Sequence, residues 1–271
     1  MRINKLALTN FRSYNSLELD LEPGVITFIG DNGSGKTNIA ESLIYLAFLS
    51  SHRVANNVPR ISHGNQQAII RAEVQRDERT LQIDLEINAS KANRARINGN
   101  PTRSQRELLG AIQIVYFSPE DLDLVRGEPG NRRDFLDRLL ITRTPRLAGV
   151  IADYERVVKQ RNALLKTRTS AAALVPWNEQ LIKLGAELTA ERIALVDVLN
   201  PWVAKNYANL NEVKPASISY KCSTEGVTKN IDDNIAALTA RLEEVAYQEI
   251  GRGVSLIGPH RDDLHLQIGD F

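Results

Sequence analysis

The stretch Gly30-Asp31-Asn32-Gly33-Ser34-Gly35-Lys36-Thr37 constrains this chain more than any other. It completes the pattern G-x-x-x-x-G-K-[ST], and its surroundings are the ones that pattern needs. The apolar, β-branched run Val25-Ile26-Thr27-Phe28-Ile29 before it predicts a buried strand. Asn38 to Ser50 after it predicts a helix with Ile39, Leu43, Leu46 and Phe48-Leu49 on an apolar face. In a strand–loop–helix of this kind the glycines let backbone N–H groups close around an anion, and the helix adds the positive end of its dipole. Lys36 is expected to reach the β- and γ-phosphates and Thr37 to offer its hydroxyl to Mg²⁺. The pattern predicts a site for a nucleoside triphosphate, ATP with Mg²⁺.

Composition narrows the setting. A chain of 271 residues with 42% hydrophobic and 25% charged residues holds one large domain or two modest ones. A net charge of +1 announces no global field toward nucleic acid or membrane, so any polyanion surface has to be local. A single cysteine, Cys222, excludes an intrachain disulfide and a cysteine-rich metal site and suits a reducing compartment. No signal peptide is visible at the N-terminus, and no apolar run reaches the ~18 residues of a membrane span. The expectation is a soluble, cytoplasmic protein without a membrane partner.

The first part of the chain reads as strands. Leu17, Leu19 and Leu21 alternate with acids, and the runs Ala68 to Gln75 and Leu81 to Ile87 flank a polar turn, which predicts a hairpin. Asn98-Gly99 marks a second tight turn, and Ile112 to Phe117 predicts another buried strand. After Ser118-Pro119-Glu120-Asp121, a helix start, the periodicity turns helical. Arg132 to Leu140, Pro145 to Lys166, Trp177 to Tyr207 and Ile231 to Gln248 carry it, with Pro201 expected to end or kink the third. Thr167 to Val175 reads as a loop, and Ile218 to Tyr220 and Val254 to Ile257 read as strands.

Several segments together carry a family resemblance. Asn10-Phe11-Arg12 precedes the glycine loop, and Phe117 to Val125 is followed by Arg132-Arg133-Asp134-Phe135-Leu136-Asp137. Asp153-Tyr154, Gln160 to Leu165 and Gly258-Pro259-His260-Arg261-Asp262-Asp263 follow later. In that order they resemble the RecF family, within the ABC/SMC-head type of P-loop ATPases, over the whole chain. The resemblance implies an α/β P-loop NTPase of ABC/SMC-head type with an antiparallel β-subdomain and an inserted helical lobe. It divides the chain into an ATPase head over 1–125, a helical lobe over 126–250, and a return to the head over 251–271. It also implies that Arg12 approaches the nucleotide. For the family it implies ATP-dependent homodimerisation, binding of double-stranded and gapped DNA, recombinase loading with recombination-mediator proteins, replication restart and SOS induction.

One departure stands against the matches. ABC-type heads need an S-x-G-Q signature and a Walker B strand ending in acids, and neither occurs before Gly269-Asp270-Phe271. Asp262-Asp263 follows Gly-Pro-His-Arg rather than an apolar strand, and Ser118-Pro119 stands where many such proteins carry a glutamine. The reading is an incomplete head that binds ATP without hydrolysing it alone.

Arg156, Lys159 and Arg161, with Lys166 and Arg168, suggest a basic strip for DNA phosphates, against the plainer reading of a solvated helix face. His52-Arg53 after the loop helix is a further candidate for nucleotide or DNA. His260 and His265 flank two aspartates, but a polar turn is preferred to a metal site. The competing function is a P-loop kinase acting on a small molecule, which would need an acceptor pocket and an arginine-bearing lid. The long helical segment suits an inserted lobe better.

Overall fold

The computed structural model describes residues 1–49, 58–167, 170–210 and 214–269. His52-Arg53, Arg168 and Asp270-Phe271 lie outside the described residues. The chain forms two compact units, Met1–Tyr116 and Phe117–Phe271. The boundary thus falls before Phe117 rather than at 125/126.

The first unit is a six-stranded antiparallel sheet with one helix. Its strands are β1 (Arg2–Phe11), β2 (Tyr14–Asp20), β3 (Gln67–Arg76), β4 (Arg79–Asn88), β5 (Arg94–Ile97) and β6 (Asn100–Pro101), in spatial order β2-β1-β3-β4-β5-β6. The expected hairpin pairs Val74 with Leu81 and Ala68 with Ile87, turning at Asp77, whose φ is 54°. Alternate residues face inward, so Leu6, Leu8, Ile70, Val74, Ile83, Leu85 and Ile87 pack with Ile39, Tyr45 and Leu46 of α1 (Lys36–Phe48).

Two expected strands join no ladder among the described residues. Val25–Ile29 forms no strand, and Val25 is 97% and Ile29 91% exposed. Along Ile112–Phe117, Ile112 is buried and bridges Leu109, whereas Val115 and Phe117 lie open. An apolar composition makes burial favourable, but neighbouring strands on both sides have to supply it. No described strand lies beside these two segments.

The second unit contains α2 (Asp123–Arg126), α3 (Pro129–Arg143), α4 (Leu147–Lys166), α5 (Ala171–Ala208) and α6 (Ile231–Arg252), with the pair β7 (Ala216–Lys221) and β8 (Asp263–Ile268). Ser118 starts it as the sequence suggests, its N–H donating to the Asp121 carboxylate at 2.6 Å. Leu181, Leu188 and Leu195 of α5 pack with Leu136, Tyr154 and Val157, and half-buried Leu184 and Leu199 join them. Pro201 does not end α5; Leu199 and Val203 hold the helix against that core, and the Asn200 side chain accepts the Ile218 N–H. α5 begins at Ala171, inside the expected loop.

Val254–Ile257 is not a strand. The Ser255 N–H donates to Asn162 Oδ1 and the Leu256 N–H to Glu249 Oε1, both at 2.7 Å, so side chains take the donors a ladder would use. The returning strand is β8, which pairs with β7 inside the second unit rather than forming part of a head.

Candidate nucleotide-binding site

Gly30 to Thr37 wrap the start of α1. Gly35 is its N-cap with φ 96°, and Gly33 has φ 85°, a region L side chains rarely adopt. The cap offers no side-chain acceptor, and the first turn holds no acid. The helix therefore presents its N–H groups and positive end without an internal anion. The loop closes on itself through the Ser34 N–H to Asp31 O at 3.2 Å. Lys36 Nζ donates to the carbonyls of Gly30 at 2.6 Å and Asp31 at 2.7 Å, with Ser34 Oγ farther off at 3.5 Å. An ammonium has three donors, so two tie the loop carbonyls and the third, on the long Ser34 Oγ contact, is the one an anion would take over. Thr37 is exposed at the second position of the helix, and Asn32 lies on the open rim.

Arg12, which the family resemblance brings toward the nucleotide, is anchored to α1. Its guanidinium forms a bidentate pair with Glu41, Nε to Oε2 at 3.0 Å and the second nitrogen to Oε1 at 2.6 Å, while the third nitrogen donates to Pro59 O at 2.7 Å. Glu41 is 1% exposed, and a buried carboxylate takes the nearest fork of donors. Arg12 thus fastens α1 to the β1–β2 turn. Arg60 lies over the Tyr45 ring at 4.2 Å, and burial lowers its pKa and raises that of Tyr45.

Sequence reasoning missed Ser13, Tyr14 and Glu41. The Asn38 amide donates to Ser13 Oγ at 2.9 Å. A Cβ on Gly35 would come within 2.7 Å of Ser13 Oγ and 2.8 Å of the Tyr14 hydroxyl. The third glycine is therefore required by contact as well as by φ. A polar residue inside the apolar face of α1, as Glu41 is, was the available signal.

The proposed basic strip on α4 comes apart. Arg161 is 2% exposed and spends its donors on Asn178 Oδ1 at 2.8 Å, Ser255 Oγ at 2.7 Å and Glu249 Oε2 at 2.5 Å. Arg156 is exposed but pairs with Asp153 at 3.1 Å, and Lys159 is exposed. A phosphate cannot reach Arg161 without breaking a buried ion pair, so its assignment as a DNA contact is corrected.

The family-like segments of the second unit interlock instead. Arg132 holds Asp263 bidentately at 2.7 and 3.0 Å, and Arg133 donates to Asp262 O at 2.9 Å. Arg192 grips Asp137 at 2.9 and 2.8 Å and reaches Pro259 O. Asp262 accepts from Tyr220 and from both donors of Ser223; burial raises its pKa despite these bonds. Burial pushes the Asp263 carboxyl up, but Arg132 outweighs it and the net shift is downward. His260 bonds the Tyr154 hydroxyl at 2.7 Å, and burial lowers its pKa to about 4. Burial raises the Cys222 thiol to about 12, which leaves it inert near neutrality. No group of three or more His, Cys, Asp and Glu suited to a metal ion occurs among the described residues.

Comparison with known proteins follows the same lines. The AAA ATPase domain family matches residues 1–240. The DNA replication and repair protein RecF of Streptomyces avermitilis is 46% identical over 282 residues, covering the whole chain and 76% of that protein. The one from Rhodococcus erythropolis is 46% identical over 298 residues, covering the whole chain and 73% of its own length. Among solved structures, the recombination mediator protein RecF described as RecF-ATPrS superposes with a TM-score of 0.93 at 23% identity, covering all of this chain and 74% of that one. An SMC head bound to the C-winged helix domain of ScpA gives a TM-score of 0.50 at 15% identity, covering 99% and 68%. The fold is that of RecF and SMC-head P-loop ATPases.

Proposed function

The chain belongs to the RecF family of DNA replication and repair proteins, and we propose on that premise that it binds ATP and Mg²⁺ through Gly30–Thr37 and couples binding to DNA. The observation that carries this is the preformed loop: Lys36 bridging two loop carbonyls, Gly35 enclosed by Ser13 and Tyr14, and an uncapped helix start. Gly33, Ser34, Gly35 and Lys36 would hold the phosphates by backbone N–H groups and the ammonium donor now on Ser34 Oγ, and Thr37 would hold the cation. Bound Mg²⁺ would withdraw charge from the phosphate oxygens. The chain's own part is to bind, orient and neutralise.

In this reading ATP favours a closed homodimer that retains double-stranded, gapped DNA in the cytoplasm. Retention at the gap promotes recombinase loading with mediator proteins, and through it replication restart and SOS induction. Arg12 acts by holding α1 in place through Glu41. Lys36→Ala is the test, read as affinity for a fluorescent ATP analogue and as nucleotide-dependent DNA retention. The expected result is at least a hundredfold weaker nucleotide binding and loss of the nucleotide effect on DNA. Unchanged affinity and retention would overturn the assignment.

A further inference from the structure

The five cations Lys91, Arg94, Arg96, Arg103 and Arg106 are all exposed, and they lie within sixteen residues that contain no acid. That density is anomalous in a chain whose net charge is only +1. Arg94 and Arg96 share the solvent side of β5 while Ala95 between them is 4% exposed; Arg103 precedes the short helix Gln105–Leu108 and Arg106 lies within it. Among the described residues no carboxylate pairs with any of the five side chains. The acids that could do so are engaged elsewhere. Asp84, opposite Arg96, pairs with Arg71 at 3.4 Å; Glu86, opposite Arg94, accepts the Asn88 amide at 3.0 Å; Glu107 accepts the Arg103 and Ser104 N–H groups.

The platform is rigid. The Asn98-Gly99 turn is pinned by two Gln82 backbone bonds, each 2.8 Å long. Asn93 donates to Gln105 Oε1 at 3.0 Å and to the Tyr45 hydroxyl at 3.2 Å, which ties the basic segment to α1. Edge protection of the sheet would be served by charges of either sign. Five of one sign within sixteen residues, none in a salt bridge among the described residues, point to a polyanion.

We propose that the β5–β6 hairpin and the Gln105–Leu108 helix form the surface that receives the phosphate backbone of double-stranded DNA. The proposal rests on the reading above that the protein holds DNA, and it places that contact in the first unit rather than on α4. Backbone contacts of this kind give sequence-independent affinity that falls with salt.

The test is a salt titration of binding to a labelled gapped duplex, comparing the unsubstituted chain with one carrying Arg94→Gln, Arg96→Gln, Arg103→Gln and Arg106→Gln. The slope of log affinity against log salt is expected to become shallower by about 3 to 4, with at least tenfold weaker binding and an unchanged affinity for the ATP analogue. Each arginine pair substituted alone should give about half the slope change, and thermal melting confirms folding. An unchanged slope in the fourfold variant, or a slope change from Arg156→Gln with Lys159→Gln instead, overturns this placement alone. Failure of the unsubstituted chain to bind the duplex overturns the DNA reading itself, and binding of an acidic peptide in its place does the same.

Discussion

The phosphate loop and the arginine network of the second unit use the same residue chemistry in opposite ways. At the loop, a cation ties two carbonyls and holds its third donor only in a long contact a ligand can displace. In the second unit, Arg161 and Arg192 are buried against carboxylates and other protein acceptors, away from any ligand in solvent. The loop's partners lie within six residues, whereas Arg161 and Glu249 are 88 apart and Arg132 and Asp263 are 131 apart. A cation's sequence neighbourhood therefore reports its function only when its partners are local.

The largest test of that contrast is Arg161→Ala, which leaves the Glu249 carboxylate buried without its partner. Denaturant unfolding of the second unit should show a loss of about 3–5 kcal/mol. A loss below about 1 kcal/mol would place Arg161 with the surface cations and break the comparison.

Next comes pH. Folded His260 stays neutral down to about 4 because of burial and the charges of Arg261, Arg133 and Arg161, against an ordinary 6.5. Between those values the unfolded chain binds the extra proton, so stability falls as pH drops through the window. The loss is about 2 kcal/mol from pH 7 to pH 5. The raised Asp262 works with the opposite sign, so the measurement is the difference between the parent and His260→Gln, which should lack this loss.

Smaller is the contrast between two glycines. Gly35→Ala meets Ser13 and Tyr14 and should weaken nucleotide binding and cost about 2 kcal/mol. Gly33→Ala meets nothing within 4 Å and should cost about 1 kcal/mol from its φ alone. Smallest is Arg156→Gln, whose exposed pair with Asp153 should change unfolding by less than about 0.5 kcal/mol.

Legibility followed the same division. The loop, the Asn98-Gly99 turn and the β3–β4 hairpin were readable because backbone φ, short spacing and period-two alternation are local properties. The fate of Val25–Ile29 and Ile112–Phe117 was not, since burial is decided by what lies alongside. Val254–Ile257 has a strand's composition, but the Asn162 and Glu249 side chains took its donors. Arg161 was read as a contact for DNA phosphates because its partner Glu249 is distant in sequence and sits on a helix that looked complete without it.

The bridging of Gly30 and Asp31 by the Lys36 ammonium has a thermodynamic consequence. The loop is ordered before any ligand arrives, so its loss of backbone entropy belongs to folding rather than to binding. Association then immobilises the ligand more than the protein. Substitutions that loosen the lysine's grip on the two carbonyls should therefore appear first as a more unfavourable binding entropy.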